Sequence, residues 1–227
     1  MLNRAARGVE RYVRSAPGTY LWLLILLITT AILRHVSPRT AHWILERRST
    51  NIHYLLEDPV RVLIQSALYI DGGSWLFYLA LYTLFHAQAE RWLGTWRWLG
   101  IAFTCHVLAT YVSEGVLAWA IHTNSVPGRM RYTLDYGVSY ALAGIVAVLA
   151  YWWPRGWMRW AYAGGVLVFY GVAMLRGRTF TDVGHFTAVL VGLGCYPLVR
   201  GRASPMARGW RWWGLVATPP FGERSIG

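Results

Sequence analysis

The chain has 227 residues, 56% of them hydrophobic and 15% aromatic against 14% charged, which is too apolar for an ordinary soluble domain and points to a polytopic membrane protein. The net charge of +12 comes entirely from arginine, since no lysine occurs. The arginines gather at the ends of apolar runs, where they act as topology signals, and no basic, aromatic-interleaved module for nucleic acid is visible. Cys105 and Cys195 both lie in apolar runs and read as small buried hydrophobes. No His/Cys cluster has zinc spacing, so neither a metal nor a cofactor is expected.

Residues 1–18 are polar, with Arg4, Arg7, Arg11 and Arg14, and read as a basic N-terminal tail. The apolar run 19–33 follows. No small-x-small cleavage site succeeds it, so it reads as a retained first span rather than a signal peptide. Residues 34–70 mix charges with Trp43, Leu45, Tyr54 and Leu55, which predicts a structured loop with short amphipathic helices at the membrane surface. Further spans are predicted over 74–89, 98–121, 137–153 (ended by Pro154), 158–175 and 183–199. The expected fold is therefore all-α, a six-helix membrane domain over 19–200. A flexible tail with Arg and Pro is expected over 201–227.

Six spans put both termini on one face. That face carries 13 arginines (4, 7, 11, 14, 91, 97, 155, 159, 200, 202, 208, 211 and 224) and three acids, Glu10, Glu90 and Glu223. The opposite face carries nine arginines and six acids. Five of those nine lie in the long first loop, where charge weighs less, so both termini are expected in the cytoplasm and the chain in the cell membrane.

Two short stretches carry the chemistry. Gly137-Val138-Ser139-Tyr140 and Asp182-Val183-Gly184-His185 each open an apolar helix that enters from the same side. Counting from Arg131 and Arg178, Ser139 lies at most ~12 Å deep and His185 at most ~10 Å deep. Spans four and six as neighbours would bring a nucleophile and a base together, as acyl transfer requires. The competing reading is a small packing residue and a histidine bonded to some neighbour.

These pieces resemble the rhomboid superfamily, a divergent bacterial member, over about residues 58–199. Asp58-Pro59-Val60-Arg61-Val62-Leu63 with Gln65-Ser66 looks like the stretch ahead of span two. Glu90-Arg91-Trp92-Leu93-Gly94 looks like a Glu-x-x-x-Gly signature. Gly137-Val138-Ser139 matches three positions of Gly-x-Ser-Gly, and Gly184-His185 with Gly192 resembles the histidine of span six. The resemblance implies Ser139 as nucleophile, His185 as base and a transmembrane protein as substrate or client. It also departs from the family. The His-x-x-x-Asn of span two, whose side chains help bind the oxyanion, falls on Ser74 and Tyr78, or on Leu76 and Ala80 if the register slides by two. Tyr140 stands at the fourth position of Gly-x-Ser-Gly, and Ala188 is the small residue three after the histidine. An active protease and a non-proteolytic binder of transmembrane clients therefore both remain open.

Other polar residues carry paired readings. Glu114 in span three lies near the level of Ser139 and either orients the site or pairs within the bundle. Asp182 either orients His185 or caps its helix, and Asp135 has the same two readings beside Ser139. Glu90 is expected to accept hydrogen bonds at the inner end of span two, with His86 as its i,i+4 partner and Gly94 allowing the following turn. Oligomeric state is not legible.

Overall fold

Helix starts follow the local caps the sequence supplies. The computed structural model describes residues 2–70 and 74–206, with side chains from Arg7 onward. The first residues form a helix, α1 (Leu2–Arg14), where the sequence reads as a polar tail. Tyr12 docks it on the second span, donating to the Thr83 carbonyl and accepting from Gln88 Nε2. α2 (Pro17–His35) opens with proline at its first position, where the missing N–H costs nothing.

The 34–70 segment forms the expected short helices α3 (Pro38–Arg48), α4 (Ile52–Glu57) and α5 (Pro59–Ser66). Ser37, Asn51 and Asp58 each accept a backbone N–H from the first turn that follows. This loop clamps the entrance of span four. Ser49 Oγ accepts from the Asp135 N–H at 2.9 Å, and Thr50 donates its N–H to the Asp135 carbonyl at 3.0 Å. The Tyr136 hydroxyl donates to the Leu45 carbonyl at 2.9 Å. The Gly72-Gly73 turn lies outside the described residues.

Span two is a continuous rod of α6 (Trp75–Leu81), a π-helical turn (Tyr82–His86) and α7 (Ala87–Leu93). The expected His86–Glu90 pair does not form. His86 instead stacks on Tyr82 at 4.0 Å between ring centroids and accepts from Trp98 Nε1 at 3.1 Å. Gly94 then turns the chain with φ +85°, a region that glycine enters without strain. α8 (Thr95–His122), α9 (Gly137–Val148, continued by a 3₁₀ turn Leu149–Trp152), α10 (Trp157–Gly177) and α11 (Phe180–Gly194) complete the six-helix bundle. The sixth span ends earlier than expected, at Gly194. Pro197 follows, and only the short α12 (Tyr196–Val199) continues.

α8, α9 and α11 form the centre. A Cβ on Gly192 would strike the backbone of Gly144, and one on Gly144 would strike Cys105. These small residues let the helices approach to backbone contact, the packing that stabilises bundles in lipid. Cys105 and Cys195 are buried and free, as their apolar context implies. α2, α8 and α10 are long and apolar enough to cross a bilayer, whereas Gly137–Trp152 and Phe180–Gly194 are shorter. α9 is buried almost throughout, so its neighbours rather than its own length face the lipid. α10 buries only Ala163 and lies at the rim.

The start of the tail is fixed rather than flexible. Arg202 donates to the Leu93 carbonyl, Trp92 Nε1 to the Ala203 carbonyl and Ser204 Oγ to the Trp152 carbonyl. Residues 207–227 lie outside the described part.

Candidate active site

Ser139 is the third residue of α9 and His185 the sixth of α11, so they sit in the first and second turns of helices that begin at the same end of the bundle. Both line one cavity of about 670 Å³ walled by span two, α9, α10 and α11. Its remaining wall is apolar apart from Tyr78, Tyr162, Tyr170 and Asp182. α10 closes it only loosely, because that helix packs so little of its surface inside the bundle.

The serine hydroxyl donates to the carbonyl of Tyr136, one turn back, at 3.4 Å. Among the described residues no hydrogen bond joins Ser139 to His185. The polar groups acting on the imidazole are the Asp182 carboxylate and the Thr181 backbone. Its ring packs edge-to-face on Tyr140 at 5.0 Å and lies 6.1 Å from the ring of Tyr170.

Tyr140 does not turn away from the helix contact. It is fully buried and its ring fills the space that Gly184 leaves open, since a Cβ at 184 would stand 2.6 Å from the Tyr140 ring. Its hydroxyl donates to the Asp135 carboxylate, 2.9 Å from each oxygen, and lies 3.4 Å from Ser113 Oγ. Asp135 thus connects the outer loop, the start of span four and the tyrosine beside His185. Burial raises the Asp135 carboxyl to about 6, against the pull of the Tyr140 hydroxyl, the Tyr136 backbone and Ser113. Asp135 showed two readings in the sequence. Its partnership with Tyr140 joins an extended residue to a helix, and neither periodicity nor a motif marks it.

The other candidates separate. Tyr78 lines the cavity with Ser139 and His185. Ser74 is the exposed N-cap of α6 with no side-chain cap bond, and it does not reach the cavity. Asp182 completes a capping box with Thr179, accepting from its hydroxyl at 2.6 Å and its N–H at 3.2 Å. Glu114 is buried, neighbours Asp135 and Tyr140, and among the described residues both its carboxylate oxygens lack a hydrogen-bond partner. Gly137 lies against the His106 ring with no room for a Cβ. His106 itself bonds the Leu63 carbonyl at 2.8 Å and so holds the outer loop. Glu90 sits at the opposite end of the bundle, where its carboxylate accepts from Gly18 N, Thr19 N, Thr19 Oγ1 and Thr95 Oγ1.

This is a polytopic membrane protein with a serine and a histidine on one intramembrane cavity. The sequence model of the family described as rhomboid-like protein matches residues 11–205, and the chain belongs to that family. No curated protein and no solved structure gives a significant match.

Proposed function

We propose that the chain is an intramembrane serine endopeptidase of the cell membrane, with both termini cytoplasmic, that cuts transmembrane segments near their outer ends. The observation that carries this reading is that Ser139 and His185 line the same apolar cavity, beside a loosely packed wall. Ser139 Oγ is the nucleophile. His185 takes its proton during attack on the scissile carbonyl and returns it to the leaving amine. The oxyanion would draw on the first N–H groups of α9, which have no side-chain cap, and on the Tyr78 hydroxyl. On this reading a rotation about χ1 releases the serine hydroxyl from its long bond to the Tyr136 carbonyl, and catalytic bonds often tighten only with substrate bound.

A second reading has its own support. Span two supplies neither histidine nor asparagine at the positions the family uses, and one missing oxyanion donor alone costs about a hundred- to a thousandfold in rate. On that reading the same cavity holds transmembrane clients without cutting them. A fluorophosphonate probe on the purified protein, followed by peptide mapping, separates the two. Labelling of Ser139, lost in Ser139→Ala and in His185→Ala, is expected of the protease. An unlabelled Ser139 in folded protein, with identical cleavage patterns for wild type and Ser139→Ala, leaves the client-binding role.

A further inference from the structure

The end of the bundle where α11 closes holds a second recess, unrelated to Ser139 and His185. It has a volume of about 360 Å³ and lies between the α9–α10 connection and the segment after α11. Arg155 and Arg159 line it from one side, Arg200 and Arg202 from the other, and among the described residues no acidic residue lines it. Among the described residues none of the four forms an ion pair. The recess is built rather than incidental. Arg202 is tied to the Leu93 carbonyl, and Ser204 to the Trp152 carbonyl. Arg159 donates one terminal nitrogen to the Trp153 carbonyl at 2.9 Å and lies over the Tyr151 ring, yet its Nε is buried without a partner. A buried donor without a partner needs an acceptor, and a recess lined by four arginines favours an anionic one.

Its depth says which anion. Trp157 and Trp160 stand beside it, 78% and 74% exposed, and tryptophans so placed at span ends mark the headgroup level of a bilayer. We propose that this recess binds the phosphate headgroup of an anionic phospholipid from the leaflet on that face. Arginine guanidinium groups suit such a site because their fork of donors matches phosphate oxygens.

The test uses the full chain in neutral detergent and native mass spectrometry with phosphatidylglycerol or phosphatidylcholine of the same acyl chains. Wild type should retain phosphatidylglycerol at least about tenfold more tightly. Arg155→Gln with Arg200→Gln should lose most of that preference. Both side chains are exposed and make no hydrogen bond among the described residues, so melting should stay at the wild-type value. If the pair does not fold, each single variant should lose part of the preference. Arg129→Gln with Arg131→Gln, at the other end of the bundle, should leave it unchanged. Equal retention of the two lipids by wild type, or an undiminished preference in folded Arg155→Gln/Arg200→Gln, overturns the proposal. Displacement of phosphatidylglycerol by low-millimolar inorganic phosphate overturns the lipid assignment and makes the site one for a soluble anion.

Discussion

Replacing Glu90 by glutamine changes one atom and should cost more stability than almost any other conservative change in this chain. One carboxylate oxygen accepts from the Gly18 N–H at 2.9 Å and from Thr95 Oγ1 at 2.8 Å. The other accepts from the Thr19 N–H at 2.7 Å and Thr19 Oγ1 at 2.8 Å. An amide can serve only one side as acceptor. On the other, the threonine hydroxyl can rotate to accept from the new NH₂, but the backbone N–H cannot, and it is stranded facing another donor. The space does not relax, since Gly18 packs against Trp98 and Glu90 too closely to admit a Cβ. An orphaned buried donor costs about 1–3 kcal/mol, and bonds to a charged acceptor exceed neutral ones by roughly 1 kcal/mol each. The total is about 3–5 kcal/mol, and at roughly 2–4 °C per kcal/mol for a chain of this size the melting temperature should fall by about 6–20 °C. Thermal unfolding in detergent, followed by tryptophan fluorescence, measures it. Glu90→Gln melting within about 2 °C of wild type would refute the claim that this carboxylate joins α2 to spans two and three.

Gly184→Ala should destabilise by about 1–3 kcal/mol through overpacking against the Tyr140 ring. Combined with Tyr140→Ala it should cost less than the sum of the two single changes, a non-additivity that a double-mutant cycle reads directly. Asp135 titrates higher in the fold, at about 6, than its ordinary 3.8. The folded state therefore holds its proton longer, and stability should decline by about 3 kcal/mol as pH rises from near 4 to above 6. Asp135→Asn should flatten that slope, and an unchanged slope would assign the dependence to another group. For topology, Asn124→Cys with both native cysteines replaced should be labelled in intact cells by a membrane-impermeant maleimide. Labelling only after permeabilisation would reverse the orientation.

What the sequence shows and what it hides divides along contact distance. Span positions were legible because each is an apolar run bounded by proline, glycine or arginine, and those signals are local. The π turn at Tyr82–His86 was not legible. It adds a residue to one turn of an otherwise regular apolar helix, and no composition marks it. The His86–Glu90 pairing failed because each side chain has other partners, Tyr82 and Trp98 for His86 and chiefly the start of α2, some seventy residues away, for Glu90. The early end of α11 had a visible cause in Pro197, but apolar residues continue past it and masked the break. At the site, Ser139 and His185 stood out as polar groups in apolar helices. Ser74 and Tyr78, four residues apart, fall on nearly the same helix face and could not be ranked by spacing; the helix begins only at Trp75, which leaves Ser74 as its exposed N-cap outside the cavity that Tyr78 lines.

Tyr140 bears most directly on what the site can do. At that position the family pattern has glycine, which lets the fourth and sixth helices touch. Here the contact is kept by moving the missing volume onto Gly184, and the tyrosine fills the gap. The exchange has a chemical consequence. The ring packs edge-on against His185 while its hydroxyl is pinned to Asp135, which the outer loop holds through Ser49 and Thr50. The imidazole therefore rests on a surface fixed from outside the bundle. The serine, by contrast, is held by a single long bond to its own helix. Of the two groups the serine is the less constrained, and on the protease reading one staggered rotamer step would be a small barrier beside that of peptide hydrolysis. The absence of a Ser139–His185 bond thus weighs less against proteolysis than the loss of histidine and asparagine from span two. The protease reading therefore requires Tyr78 and the first N–H groups of α9 to stabilise the oxyanion in their place.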